Sequence, residues 1–474
     1  MPTTLPISND SLHMTSSLSH GAVPASTGAS GNPQLVHLLL EVSGATQSES
    51  LPMNLGVVVD VSDSMRIRLV SDAQFRQLAS QGMAQEIITD GVPAWQINSA
   101  PSEVVNQLPR RIDYLQTALV QMADYLGAAD RFSLVAFAGR AQVILPTISG
   151  LDRNRLLQTS SSLEYIKLGD GTQMDEGMRL GLEEMARQPE NDDGLARASR
   201  LILLTDGHTR GVELCYTLAR QARQLGIPIS TLGLGTEFNE DLLIPLADLT
   251  GGRAYYIEKP EQIVPAFDKE LGAARAVRFR NVEIKLRFPI GVELRQAHRI
   301  LPELGQFDPG PNQDGSYTLL LGNYDPSAPP ALLLELLLPP WQSGAYRLAQ
   351  ALLAWDDPLG GLARASQRQD IVIQVNSAGQ SFPPPSQRVM NYVERIGAFK
   401  LGTLALEEAA RGDNKAATLR LRQAATRLLD MGETILAGEM LRQAEALEHG
   451  SPLDPNITKK LRYETRRLTR LLDN

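Results

Sequence analysis

Two aspartates, two serines and one threonine in this chain are placed so that they could share a hard cation. Asp60-Val61-Ser62-Asp63-Ser64-Met65 follows the apolar run Leu55-Gly56-Val57-Val58-Val59, and Thr205-Asp206-Gly207 follows Leu201-Ile202-Leu203-Leu204. Between them lies Leu168-Gly169-Asp170-Gly171-Thr172-Gln173-Met174. The two apolar runs read as strands, and in an open parallel sheet the crevice beyond the strand carboxyl ends is the binding edge, so Asp60 and Asp206 are aimed at one mouth. Carboxylates that meet there repel unless a cation lies between them. The hydroxyls of Ser62, Ser64 and Thr172 add neutral oxygens, the donor type Mg²⁺ takes in near-octahedral geometry while keeping some waters. An ion held by few charged ligands stays electrophilic and keeps a position open for a carboxylate from another molecule. Singly, each residue is an ordinary turn or N-cap residue. Their joint placement is what points to a cation.

Other chemistries find less support. There is no Gly-x-Ser-x-Gly elbow and no His-Glu-x-x-His, and the six histidines are scattered, with only His208 near the mouth, where it reads as a rim contact. Aspartyl-phosphate chemistry needs a second carboxylate two residues after the first, and that position is Ser62. Gly233-Leu234-Gly235 lacks a third glycine and a lysine, so it reads as a strand-ending turn, and no Gly-x-x-x-x-Gly-Lys-[Ser/Thr] loop is present. The chain is therefore read as non-enzymatic, with Mg²⁺-assisted hydrolysis the weakest alternative.

The elements that must position these residues alternate from Leu55 to about Leu271. Strand-like runs (Leu55 to Val59, Phe132 to Phe137, Leu201 to Leu204, Ile227 to Leu232) are separated by helical ones, such as Ile112, Leu115, Leu119, Met122 and Leu126. That rhythm implies an α/β unit with a doubly wound parallel sheet covered on both faces. Beyond Ala274, short β-like runs (Val277 to Phe288, Ser316 to Leu321, Leu332 to Leu338, Tyr346 to Leu353, Ile371 to Val375) between Pro and Gly turns imply an antiparallel β-sandwich. Its strand count is one short, and Leu35 to Val42 is the spare strand that completes it from the other side of the α/β unit. After Phe382-Pro383-Pro384-Pro385 the pattern is helical, with Gly412, Gly432 and Gly450 at helix ends, and predicts a small bundle. The expected organisation is a flexible leader over 1–34, a sandwich strand in 35–50, the α/β domain over 51–273, the sandwich over 274–378, a Pro-rich linker over 379–387 and a helical bundle over 388–474.

Composition bounds the partners. A net charge of −9 argues against general nucleic-acid binding. From residue 385 onward there are 15 Lys and Arg against 12 Asp and Glu, so a mildly basic tail follows an acidic body. Within it Lys459-Lys460-Leu461-Arg462-Tyr463-Glu464-Thr465-Arg466-Arg467-Leu468-Thr469-Arg470 reads as a solvated face, with a contact to a partner or anionic surface as the alternative. Leu401, Leu404, Leu406, Leu419 and Leu421 read as bundle core. A single cysteine, Cys215, excludes an intramolecular disulfide and fits a reducing compartment. The first residues carry no basic and apolar signal pattern, and no apolar run approaches the ~20 residues of a membrane helix, so a cytoplasmic protein is expected.

The Asp60-x-Ser62-x-Ser64 run, the Gly-Thr at Thr172 and the Thr-Asp-Gly at Asp206 resemble the metal-ion-dependent adhesion site of von Willebrand factor type A domains. The resemblance extends to the order of elements over residues 55–272, including Asp130-Arg131-Phe132-Ser133-Leu134-Val135-Ala136-Phe137. It implies a Rossmann-like fold that binds Mg²⁺ or Mn²⁺ through Asp60, Ser62, Ser64, Thr172 and Asp206, and whose open site takes an acidic residue of a protein partner. An A domain embedded in a β-sandwich, with helices at the end, is also similar to bacterial intracellular A-domain proteins. That implies a scaffold, or alternatively an adaptor of a separate ATPase or signalling machine. Two departures stand out. Asp170 occupies a position usually held by glycine, and residues 66–110 form an insertion, containing Val92-Pro93-Ala94-Trp95-Gln96-Ile97, before the first helix. Tethered next to Ser64, that insertion is expected near the mouth, as a cap or a contributor to partner specificity.

Overall fold

The computed structural model describes residues 11–25, 32–44, 49–68, 72–89, 92–97, 108–187, 194–235, 237–307, 309–377 and 379–469. Parts of the expected leader (1–10, 26–31) and of the expected insertion (69–71, 90–91, 98–107) lie outside the described residues.

The α/β domain is built on a six-stranded sheet in the order Ala254–Ile257, Ile229–Leu234, Ala198–Thr205, Met53–Asp60, Arg131–Phe137, Ala141–Ser149. The first five strands run parallel, and the sixth pairs antiparallel with Arg131–Phe137 at the edge. Every residue of Met53–Asp60 is buried, because side chains alternate between two covered faces. Val57 and Val59 pack with Ile112, Leu115, Leu119 and Phe267. Val58 points the other way, into a cluster with Met178 and Leu182. The helix Met174–Ala186 lies close on that second face, since a Cβ at Gly181 would stand 2.5 Å from Val58 and one at Gly177 2.8 Å from Phe137. The described part of the insertion folds on itself as the helix Asp72–Ser80 and the hairpin Ala84–Thr89 with Val92–Ile97, around a small cluster of Phe75, Leu78 and Ala84.

The sandwich has two five-stranded sheets. One holds His13–Leu18, Gln34–Ser43, Ala331–Leu338, Glu293–Leu301 and Gly305–Phe307 in that order. The other holds Tyr317–Gly322, Arg280–Arg287, Gly344–Asp357, Leu362–Asn376 and Ala22–Pro24. The polar stretch before residue 35 is thus not a free leader throughout. His13–Leu18 pairs antiparallel with Gln34–Ser43, and Ala22–Pro24 adds a parallel edge to Leu362–Asn376. These strands escape notice in the sequence because edge strands need little apolar content.

Leu38, Leu40, Leu332, Leu334 and Leu336 face the sandwich core with Ile284, Leu348 and Ile373. Leu39, Ala331 and Leu333 face outward, yet are buried against Val389, Tyr392 and Ile396 of the helical domain. Burial on both faces is why these strands read as unbroken leucine runs.

Among the described residues the tail holds four helices: Gln387–Ala410, Asn414–Asp430, Thr434–Glu448 and Pro455–Thr465. Gly412, at φ +84°, ends the first with a left-handed residue that a side chain would strain. Leu406 and Leu421 are in the core, but Leu404 and Leu419 are exposed; leucine spacing alone does not say which stripe is covered. The reading of the last helix as a solvated face is also corrected. Lys459 is 5% and Arg466 4% exposed, because both pack on the acidic helix Glu240–Thr250 of the α/β domain. Lys459 Nζ bonds Glu240, and Arg462 bonds Asp241. Arg466 holds both oxygens of Asp248, at 2.8 and 2.5 Å.

Candidate metal site

The sheet order reverses between Met53–Asp60 and its neighbour Ala198–Thr205: later strands are added on one side through Arg131–Phe137 and on the other through Ile229–Leu234. A crevice opens beyond the carboxyl ends of strands at such a switch point. Asp60 ends the first strand and Asp206 directly follows the second, so the two carboxylates meet there.

The local bonding is a relay. Ser64 Oγ donates to Asp206 Oδ1 at 2.8 Å, and the Ser62 and Ser64 hydroxyls are 2.9 Å apart. A hydroxyl has one proton; with that of Ser64 given to Asp206, Ser62 must donate to Ser64. Asp60 is fully buried, accepting from the Ser62 N–H on Oδ1 and from Thr205 Oγ1 on Oδ2, each at 2.9 Å. Thr172 lies on the next loop beside Gly207: a Cβ at position 207 would stand 3.1 Å from Thr172 Oγ1, so glycine there lets the loops touch. Thr172 makes no hydrogen bond to the other four among the described residues. The Arg66 guanidinium donates to the carbonyls of Val61 and Ile166, tying the Asp60 loop to the segment leading to Thr172. Asp63 and Asp170 are exposed and stand apart from this relay, and His208 is exposed at the rim.

Burial, and then the charge of Asp206, push the Asp60 carboxyl up to about 6. Burial likewise raises Asp206, against hydrogen bonding from Ser64 and the charge of Arg111. Two desolvated acids facing each other form a site short of positive charge. Among the described residues no group of three or more His, Cys, Asp and Glu side chains could hold a metal, so a cation here must be held by two carboxylates and hydroxyls. Those donors, all oxygen, suit Mg²⁺ or Mn²⁺ and not a softer metal.

Residues 103–269 match the von Willebrand factor type A domain family. The chain carries a von Willebrand factor type A domain. The match begins within the last residues of the insertion, so the serine loop and the strand Met53–Asp60, central in the A-domain sheet, precede the matched span. Residues 387–471 match a second family, the Sll0103-like C-terminal alpha-helical domain. An uncharacterized protein sll0103 of Synechocystis is 27% identical over 361 residues, covering 74% of this chain and 82% of that protein. A UPF0353 protein of Mycolicibacterium gilvum is 26% identical over 49% of this chain, which spans 64% of that relative. The A-domain protein "von Willebrand factor type A from Catenulispora acidiphila" shares the fold along 96% of both chains, with a TM-score of 0.69 at 14% identity. The ArnB paralog VWA2 from Sulfolobus acidocaldarius does so over 97% of this chain and 99% of its own, with a TM-score of 0.53 at 15% identity.

Two residues of the A-domain mouth escape a reading of the sequence. Thr205, the donor to Asp60, is the last residue of the strand Ala198–Thr205, and its type alone does not mark that role. Arg111 bonds Asp206 Oδ2 at 3.0 Å. It left a trace: Arg110 and Arg111 open the helix Arg111–Tyr125, where the helix dipole disfavours cations. Each has carboxylates waiting, Asp113 and Glu164 for Arg110 and Asp206 for Arg111.

Proposed function

We propose that this chain is a non-enzymatic, divalent-metal-dependent protein-binding scaffold. Asp60, Ser62, Ser64, Thr172 and Asp206 would hold Mg²⁺ or Mn²⁺ at the A-domain mouth, and the ion would supply a Lewis-acidic position for an acidic residue of a partner protein. A domains serve widely as protein-interaction modules, and the chain shares that general role. The observation that carries the metal is the relay Ser62 to Ser64 to Asp206, set against an Asp60 whose carboxyl is pushed up by burial and then by the Asp206 charge. Within the mouth the chain's own groups have separate tasks. Thr205 and the Ser62 N–H orient Asp60, Arg66 clamps the loops, and Gly207 keeps Thr172 within reach.

Among the described residues no helix is long and apolar enough to cross a membrane. Together with the lone, buried Cys215, this supports a cytoplasmic setting. The test is affinity capture from the host with the full chain in Mg²⁺ and in EDTA, beside calorimetric Mg²⁺ titration of the wild type, D206A and S62A. Capture that needs Mg²⁺ and vanishes in both variants supports the reading; capture unchanged in EDTA defeats it.

A further inference from the structure

The A domain, the sandwich and the helical tail form a cleft of about 770 Å³ where they meet, lined by none of the relay's residues. The helix Val212–Gln224 brings Arg220 and Arg223 to it, and Gln387–Ala410 brings Phe399 and Lys400. Phe307 comes from the sandwich and Arg466 from the residue just past Pro455–Thr465. No one module makes this site; it exists only when all three are assembled.

Charge on the cleft is unbalanced. Four cations line it against two carboxylates, Asp248 and Glu407. Asp248 is already committed to Arg466 and, at 2.7 Å, to Arg299. Lys400 pairs with Glu335 alone among the described residues, at 3.7 Å. Arg220 and Arg223 have no carboxylate partner among the described residues. Arg223 is half-buried, and burial pulls its guanidinium below the usual arginine range with nothing acting against it. Arg466, 4% exposed, keeps a buried Nε–H without an acceptor, and Gln296, also in the lining, a buried Oε1 without a donor. Arg220 is exposed, but a partly desolvated guanidinium without a partner, as at Arg223, is costly to a fold unless a ligand satisfies it. Guanidinium and ammonium groups converging on one space suit phosphate oxygens. The volume falls in the ~300–1,000 Å³ range of small-molecule sites, and Phe307 and Phe399 offer an apolar seat.

We propose that this cleft binds a small phosphate-bearing organic molecule, its phosphates taken by Arg220, Arg223 and Lys400 and its ring system by the Phe307 and Phe399 side. Because each module contributes, the bound molecule also fastens the helical tail and the sandwich to the A domain.

The test is calorimetry on the full chain in EDTA, which silences any divalent-metal site and keeps this question apart from the proposed scaffold function. ADP, inorganic phosphate and adenosine are the probes. ADP should bind, phosphate should bind at least about tenfold more weakly, and adenosine should give no heat. The double variant R220A/R223A should weaken ADP at least about tenfold without lowering the urea midpoint, and in a separate EDTA-free titration should bind Mg²⁺ as the wild type does. No heat from millimolar ADP, or ADP binding that R220A/R223A leaves intact, overturns the assignment. Phosphate binding as tightly as ADP removes the ring from it.

Discussion

The guanidinium of Arg111 lies 3.0 Å from Asp206 Oδ2 and 3.3 Å from the carbonyl oxygen of Ser64. Asp206 is thus partly neutralised from within, by the residue at which the chain re-enters the A domain after the insertion. Arg111 and a divalent ion at the mouth would repel each other. R111M should therefore bind Mg²⁺ several-fold to about tenfold more tightly by calorimetry, the range of a single close charge at a partly screened site. It should also lower the urea midpoint without metal, since Asp206 loses its compensating cation. Weaker Mg²⁺ binding in R111M would mean that Arg111 orders the mouth for the ion and does not compete with it.

His298 gives the fold an acid limb. It is 3% exposed on Glu293–Leu301, and burial first, then Lys400 and His37, push its imidazole down to about 4. Between that value and the ordinary 6.5, the unfolded chain takes a proton that the folded chain refuses. Stability therefore falls as pH drops from 6.5 toward 4, by about 2–3 kcal/mol at pH 4.5. Urea midpoints at pH 7 and 4.5 should separate more for the wild type than for H298L; parallel losses would show that other groups carry the acid sensitivity.

The central strand and most of the mouth were legible because the signals were local. Val57, Val58 and Val59 are apolar on both faces, and Asp60, Ser62, Ser64 and Asp206 are small polar residues at strand ends. What stayed hidden depends on partners distant in sequence. Glu293–Leu301 reads as polar because it carries Glu293, Arg295, His298 and Arg299, yet Arg299 and His298 are buried. Lys459 and Arg466 look like a solvated face until Glu240 and Asp248, some 219 and 218 residues earlier, are set beside them. The same holds for Arg200 and Glu270, charges inside an apolar stretch whose pairing no periodicity reveals.

Glu270 is fully buried on the helix Ile263–Arg275 and is met by Arg200, by Ser230 Oγ and by the Tyr255 hydroxyl, the last two at 2.5 Å. Burial would raise this carboxyl, but Arg200 and Arg253 hold it below the usual value. Its stabilisation is therefore present at neutral pH and lost as acid protonates it in the folded state. Removing one member strands the others, so E270Q should cost ~3–5 kcal/mol in urea unfolding at pH 7, with the difference from wild type shrinking in acid. A loss below 1 kcal/mol would mean the network is relaxed by water.

Lys459 is the fastener between tail and A domain. Its ammonium donates to Glu240 and, at 2.5 Å, to the carbonyl of Phe238, and lies 4.0 Å from the Phe238 ring centroid. Tyr463, one turn on, lies edge-on to the same ring with centroids 6.4 Å apart. A buried cation with three such partners leaves Glu240 and a carbonyl unsatisfied when removed, so K459M should cost about 2–4 kcal/mol of docking free energy. The loss would appear as faster proteolysis and amide exchange in the helix Pro455–Thr465, while the strand Met53–Asp60 stays protected. Exchange that rises equally in both segments would show that tail and A domain unfold as one unit.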